Sequence, residues 1–162
     1  MVDRQKVIEL VTKHEGFRAY SYRDTKGKLT IGIGFNLDAP GAAERCAAVG
    51  VNYGAVCFAG QGITQAQAQA LLDEGITAAQ DAALCTVVGF PDMPDVVQLV
   101  VIDQLFNMGR EKFLQFHRMI DALEARDWPR MADEMRDSLW FAEVGTRATE
   151  DIALVLSAAV TG

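Results

Sequence analysis

Residues 14–37, HEGFRAYSYRDTKGKLTIGIGFNL, are where the chain changes its period. In Lys28–Phe35 the residues Leu29, Ile31, Ile33 and Phe35 alternate with Lys28, Thr30, Gly32 and Gly34, the two-residue period of a strand. Ala19–Arg23 reads as its partner, and Asp24-Thr25-Lys26-Gly27 has the chemistry of a tight turn. Together they predict a β-hairpin. Upstream the period is helical, because Val7, Leu10, Val11 and His14 fall at i, i+3, i+4 and i+7. Asp3 is the expected N-cap of a helix over Asp3–Glu15, and Gly16 sits where a glycine ends one.

Downstream, residues 36–62 are rich in Ala, Gly and Asn, and a short helix is expected near 41–48 with loop elsewhere. Thr64 is the expected cap of a long helix, Gln65–Cys85, carrying Leu71, Leu72, Ile76 and Ala79 on one side. Beyond a break at Gly89–Pro94, helices are expected at 95–108, 112–124, 128–137 and 143–158. Gly109, Asp127-Trp128-Pro129 and Trp140–Ala142 are read as the separators. Helix, hairpin, long helix and helical bundle in that order predict an α+β fold. One domain over 1–162 is expected, with a sheet-bearing lobe at 14–63, a connecting helix at 64–86, and a larger helical lobe from 1–13 and 87–162. The cleft between such lobes is the expected ligand site.

Composition narrows the function. Half of the 162 residues are apolar, enough for an ordinary globular core. The net charge of −7, with no basic patch, argues against a nucleic-acid partner. The same charge makes long-range attraction to an anionic wall polymer weak or repulsive at low salt. The N-terminus MVDRQKVIELVTKHEG is too highly charged for a signal peptide. The most apolar run, Val96–Ile102, spans seven residues between Asp95 and Asp103, whereas a membrane span needs about twenty. No membrane insertion is expected. Cys46, Cys57 and Cys85 are odd in number and widely spaced, so they read as small apolar core residues made in a reducing compartment, with a Cys46–Cys57 bridge left open.

Most catalytic motifs are missing. Gly32-Ile33-Gly34 continues as Phe35-Asn36-Leu37, so no dinucleotide fingerprint is present. No serine sits in a nucleophile elbow, and His14 and His117 offer little for a metal. No metal or cofactor is expected. Carboxylates remain. Glu15 lies in the last turn of the first helix, where the backbone carbonyls carry partial negative charge and favour the protonated acid. Asp24, in a turn beside Arg23 and Lys26, is expected to stay ionised. Two carboxyls in opposed environments suit a glycosidase. Thr30 shares a strand face with Gly32 and Gly34, and those glycines are expected to leave that face bare for a ligand. Each feature alone is ordinary structure: Glu near a helix end, Asp opening a turn, glycines at a bulge.

Their conjunction is more specific. Glu15, eight residues, Asp24, five residues, Thr30 is a spacing that resembles the T4-type bacteriophage lysozymes, glycoside hydrolase family 24. Residues 14–37 resemble the catalytic segment of that family almost throughout. Ile63-Thr64 with its Ala-rich helix, Leu105-Phe106-Asn107-Met108-Gly109, Trp128, Trp140-Phe141 and Thr146-Arg147-Ala148 extend the likeness in the same order, with only 38–62 aligning poorly.

The resemblance implies that Glu15 is the general acid and that Asp24 and Thr30 hold the attacking water, as in an inverting hydrolase. It implies Phe106 and Asn36 as substrate contacts, and Gly32, Gly34 and Arg147 as supports, with Arg147 approaching Glu15 and lowering its proton affinity. The family often has histidine where Phe35 stands, so Asp24 is expected to be less restrained here. The implied reaction is hydrolysis of the β-1,4 bond between N-acetylmuramic acid and N-acetylglucosamine in peptidoglycan, by a monomer. The enzyme would be made in the cytoplasm and act on the wall after release. Two alternatives stay open: a lytic transglycosylase, and a non-catalytic wall-binding module of the same fold.

Overall fold

Local signals account for where most elements begin and end in the computed structural model, which describes residues 1–160. The order is α1 (Arg4–Glu15), β1 (Arg18–Arg23), β2 (Leu29–Gly32), β3 (Phe35–Asn36), α2 (Ala42–Ala48), α3 (Tyr53–Phe58) and α4 (Gln65–Thr86). Then come α5 (Asp95–Phe113), α6 (His117–Glu124), α7 (Trp128–Arg136), α8 (Leu139–Val144) and α9 (Thr146–Ala158). The fold is α+β, predominantly helical, with one small antiparallel sheet in strand order β1-β2-β3. Two compact units are present: Val11–Thr77, and Met1–Leu10 with the chain from Ala78 onward. Among the described residues no helix is long and apolar enough to cross a membrane.

The caps of α1 and α4 behave as the sequence implies. The Asp3 carboxylate accepts the Gln5 N–H at 2.9 Å, and the Gly16 N–H closes α1 on the Thr12 carbonyl at 2.8 Å. Thr64 and Gln67 form a reciprocal capping box on α4: the Thr64 hydroxyl accepts the Gln67 N–H at 3.1 Å, and the Gln67 side chain accepts the Thr64 N–H at 3.0 Å.

The expected strand Lys28–Phe35 is not one strand. It ends at Gly32, turns through Ile33-Gly34, and returns as β3, so that Thr30 pairs with Asn36 and Ile31 with Phe35. Alternation misled because β2 is covered on both faces. Thr30 is 5% exposed and Ile31 is fully buried, and Gly32 and Ile33 are buried as well. α3 was expected as loop. It is a short helix whose signal is Asn52, which caps it by accepting the Ala55 N–H at 3.0 Å.

In the other unit α5 is the central element. Every residue from Val97 to Leu105 is buried, including Gln98, Asp103 and Gln104. Asp103, expected to fence an apolar run, is itself core. Gln98 pins the N-terminus by accepting the Val2 N–H at 2.8 Å while donating to the Met93 carbonyl at 2.8 Å. The helix kinks at Gly109, as expected, but continues to Phe113, and the expected helix 112–124 starts only at His117. The expected separator Trp140–Ala142 is helical. Trp140, 1% exposed, anchors α8 through its indole N–H, which donates to Asn107 Oδ1 at 3.0 Å, and the real break is Gly145.

The cysteines are free, and the core reading holds for one of them: Cys46 is buried, Cys57 half-buried and Cys85 exposed. Burial, with Cys57 adding to it, pushes the Cys46 thiol up and keeps it protonated.

Removing the capping hydroxyl in Thr64→Ala should cost about 1 kcal/mol of stability, read as a lower midpoint in urea with an unchanged slope.

Candidate active site

The end of α1 delivers Glu15 to the sheet. An ideal Cβ on Gly34 would lie 2.7 Å from the Glu15 carboxyl carbon and 2.7 Å from its Oε2. No side chain can occupy position 34 while Glu15 keeps its place. The backbone there has φ +69°, the left-handed region in which a Cβ is strained in any case. Gly32 is similarly enclosed, with an added Cβ 3.1 Å from both the Ala68 Cβ and the Ile63 Cδ1. The expected bare face is therefore filled by the protein's own groups. The reason is the turn at 33–34, which folds the glycines inward.

Asp24 is firmly held, contrary to the slack expected from Phe35. Its Oδ1 accepts the Lys26 N–H at 2.9 Å and the Lys28 N–H at 2.8 Å. Both are donors of its own turn, so restraint comes from local backbone and no histidine is needed. Phe35 is buried, with the Arg45 guanidinium 5.0 Å from its ring centre. Thr30 hangs on the same lysine as Asp24, its hydroxyl donating to the Lys28 carbonyl at 3.0 Å. Asn36 stands across from Thr30, half-buried, and its Oδ1 accepts the Asp38 N–H at 2.9 Å. Asp38 in turn takes the Leu29 N–H at 2.8 Å, locking the hairpin.

Tyr22 belongs to no motif that singles it out in the sequence. It pairs directly with Thr30 on β2, so Tyr22, Thr30 and Asn36 form one row across the three strands. The Arg18 guanidinium sits 4.3 Å from the Tyr22 ring centre. Burial pushes the Tyr22 phenol above its ordinary range, and the charges of Glu15 and Asp24 push the same way against Arg18. The phenol is thus neutral and within electrostatic reach of both carboxyls. Its signal was available in Tyr20-Ser21-Tyr22, where alternation puts Tyr22 two residues before Asp24.

The other two expected residues lie in the helical unit. Phe106 is half-buried on α5. Arg147, 8% exposed on α9, donates from Nε to Asp103 Oδ2 and from Nη2 to Asp103 Oδ1, each at 2.7 Å, a two-pronged charge-assisted pair. Asp151, one helical turn further on, is fully buried. Burial pushes its carboxyl well above the carboxylate range, Asp103 adds to this, and Arg147 opposes it.

The chain matches the phage lysozyme family over residues 12–150 and belongs to it. It is 24% identical over 161 residues to a probable T4-type lysozyme of Dictyostelium discoideum, covering 92% of each chain. It is also 27% identical over 158 residues to the pre-baseplate central spike protein Gp5 of Enterobacteria phage T4, covering 93% of this chain and 28% of that protein.

Gly34→Ala should force Glu15 aside. Backbone strain of about 1–3 kcal/mol is expected, read as a lower melting temperature; an unchanged melting temperature would mean that the turn accepts a side chain at position 34. Asp151 offers a second test. An acid whose folded proton affinity is raised stabilises the fold most in acid and loses that contribution as pH rises above its unfolded value. Asp151→Asn removes this loss, so its melting temperature should gain on the parent's between pH 4 and pH 7; parallel pH curves would contradict the assignment.

Proposed function

We propose that this protein hydrolyses the β-1,4 bond between N-acetylmuramic acid and N-acetylglucosamine in peptidoglycan, with inversion at the anomeric carbon, and so lyses the bacterial wall. The observation that carries this reading is the shared anchor at Lys28. Asp24 Oδ1 is committed to the Lys26 and Lys28 amides, which leaves Oδ2 as an acceptor. The Thr30 hydroxyl proton is committed to the Lys28 carbonyl, which leaves Oγ1 as an acceptor. Two acceptors fixed on one residue suit a water molecule, which has two hydrogens to donate. A water held in this way keeps a lone pair for the anomeric carbon.

Glu15 supplies the acid. Its proton passes to the glycosidic oxygen as the bond from the anomeric carbon to that oxygen breaks. The water oxygen forms the new bond from the opposite face, and its proton passes to Asp24. Asn36 and Phe106 are proposed as contacts for the sugar chain, and Gly32 and Gly34 as the small positions that let Glu15 seat. A transglycosylase uses the substrate's own hydroxyl as nucleophile and needs no pair of water acceptors.

Glu15→Gln tests the reading. Release of muropeptides from purified peptidoglycan should fall by about 10²–10⁴-fold while the fold and melting temperature are kept. Mass spectrometry of the wild-type products should find reducing ends; anhydro ends would assign a transglycosylase, and full activity of the variant would remove Glu15 from the mechanism.

A further inference from the structure

Glu15, Asp24 and Thr30 leave a bound sugar short of hydrogen-bond donors. An ionised Asp24 only accepts, and the single Thr30 hydroxyl proton is spent on Lys28. N-acetylated sugars carry many acceptor oxygens: ring and bridging ethers, hydroxyls, acetamido carbonyls and the lactyl carboxylate. A surface that orients such a ring must offer donors. The row Tyr22–Thr30–Asn36 has them on both flanks of Thr30. On one side stands the Asn36 amide, whose oxygen is engaged with the Asp38 N–H and whose nitrogen remains to donate. On the other stands Tyr22, whose hydroxyl makes no hydrogen bond among the described residues.

We propose that Tyr22 is a further substrate-binding residue of this site, its phenolic O–H donating to an acceptor oxygen of the N-acetylhexosamine ring bound over Asp24 and Thr30. The proposal rests on the muramidase reading and adds to it a residue that reading does not use. Three features besides the open hydroxyl support it. The cross-strand pairing puts Tyr22 beside Thr30 and two residues from Asp24. The Arg18 guanidinium, 4.3 Å from the ring centre, restrains the ring that carries the hydroxyl. Half-burial leaves part of the side chain accessible. The neutral phenol is also the form that can donate, and burial maintains it.

Tyr22→Phe deletes the donor and keeps the ring, its packing and the Arg18 contact. The binding probe is a tetrasaccharide of alternating N-acetylglucosamine and N-acetylmuramic acid, titrated calorimetrically into Glu15→Gln protein so that it is not cleaved. Adding Tyr22→Phe should weaken binding by roughly three- to tenfold, the worth of one neutral hydrogen bond. The single variant Tyr22→Phe should lose kcat/KM on peptidoglycan by a similar factor at an unchanged melting temperature. Equal affinity and equal kcat/KM, alongside an inactive Glu15→Gln, would overturn the Tyr22 assignment and leave the muramidase reading standing. A lowered melting temperature with unchanged affinity would make Tyr22 a packing residue and also overturn it. If the wild-type protein neither cleaves peptidoglycan nor binds the tetrasaccharide, the muramidase reading fails and the role of Tyr22 fails with it.

Discussion

A carboxyl group seated where a side chain would otherwise be is the constraint on which the site depends. Glu15 occupies the space that a Cβ on Gly34 would need. This couples the end of α1 to the turn between β2 and β3. The turn needs a left-handed backbone at residue 34, and the acid needs an empty position there; glycine meets both requirements. The strand break at Gly32 is thus part of how the acid is placed. A continuous strand to Phe35 would have carried residue 34 away in extended geometry.

The second organising point is Lys28, through its backbone and not its charge. Its N–H holds Asp24 and its carbonyl holds Thr30. These bonds are short-range, so hairpin formation alone aligns the two residues, with little dependence on distant packing. They also set chemical roles. Each side chain has its protein-facing atom satisfied, Asp24 Oδ1 by two amides and the Thr30 hydroxyl by a carbonyl.

In the helical unit, buried charge replaces what the sequence suggests is a boundary. Asp103 lies within an entirely buried stretch of α5 because Arg147 meets it with two hydrogen bonds. A charge that deep is tolerable only when paired. For Asp151, burial and the neighbouring Asp103 outweigh Arg147 and push the carboxyl well above the carboxylate range. None of this pairing has a local sequence signal, since Asp103 and Arg147 are 44 positions apart.

The sequence by itself determined the α+β order, the helix starts at Asp3 and Thr64, the hairpin turn at Asp24, and the Glu15–Asp24–Thr30 spacing. These rest on caps, turns and periodicities that act within a few residues. Only tertiary structure decided what covers each face. Cover on both sides of β2 defeated the alternation argument at Thr30 and Gly32, and burial turned Trp140 from a separator into core. Cross-strand register placed Tyr22 beside Thr30 and Thr30 beside Asn36. The close seat of Glu15 on Gly34 depends on a backbone turn that a two-residue period cannot announce. Local interactions choose the elements; which atoms then meet depends on packing between segments far apart in the chain, and there the acid finds its glycine.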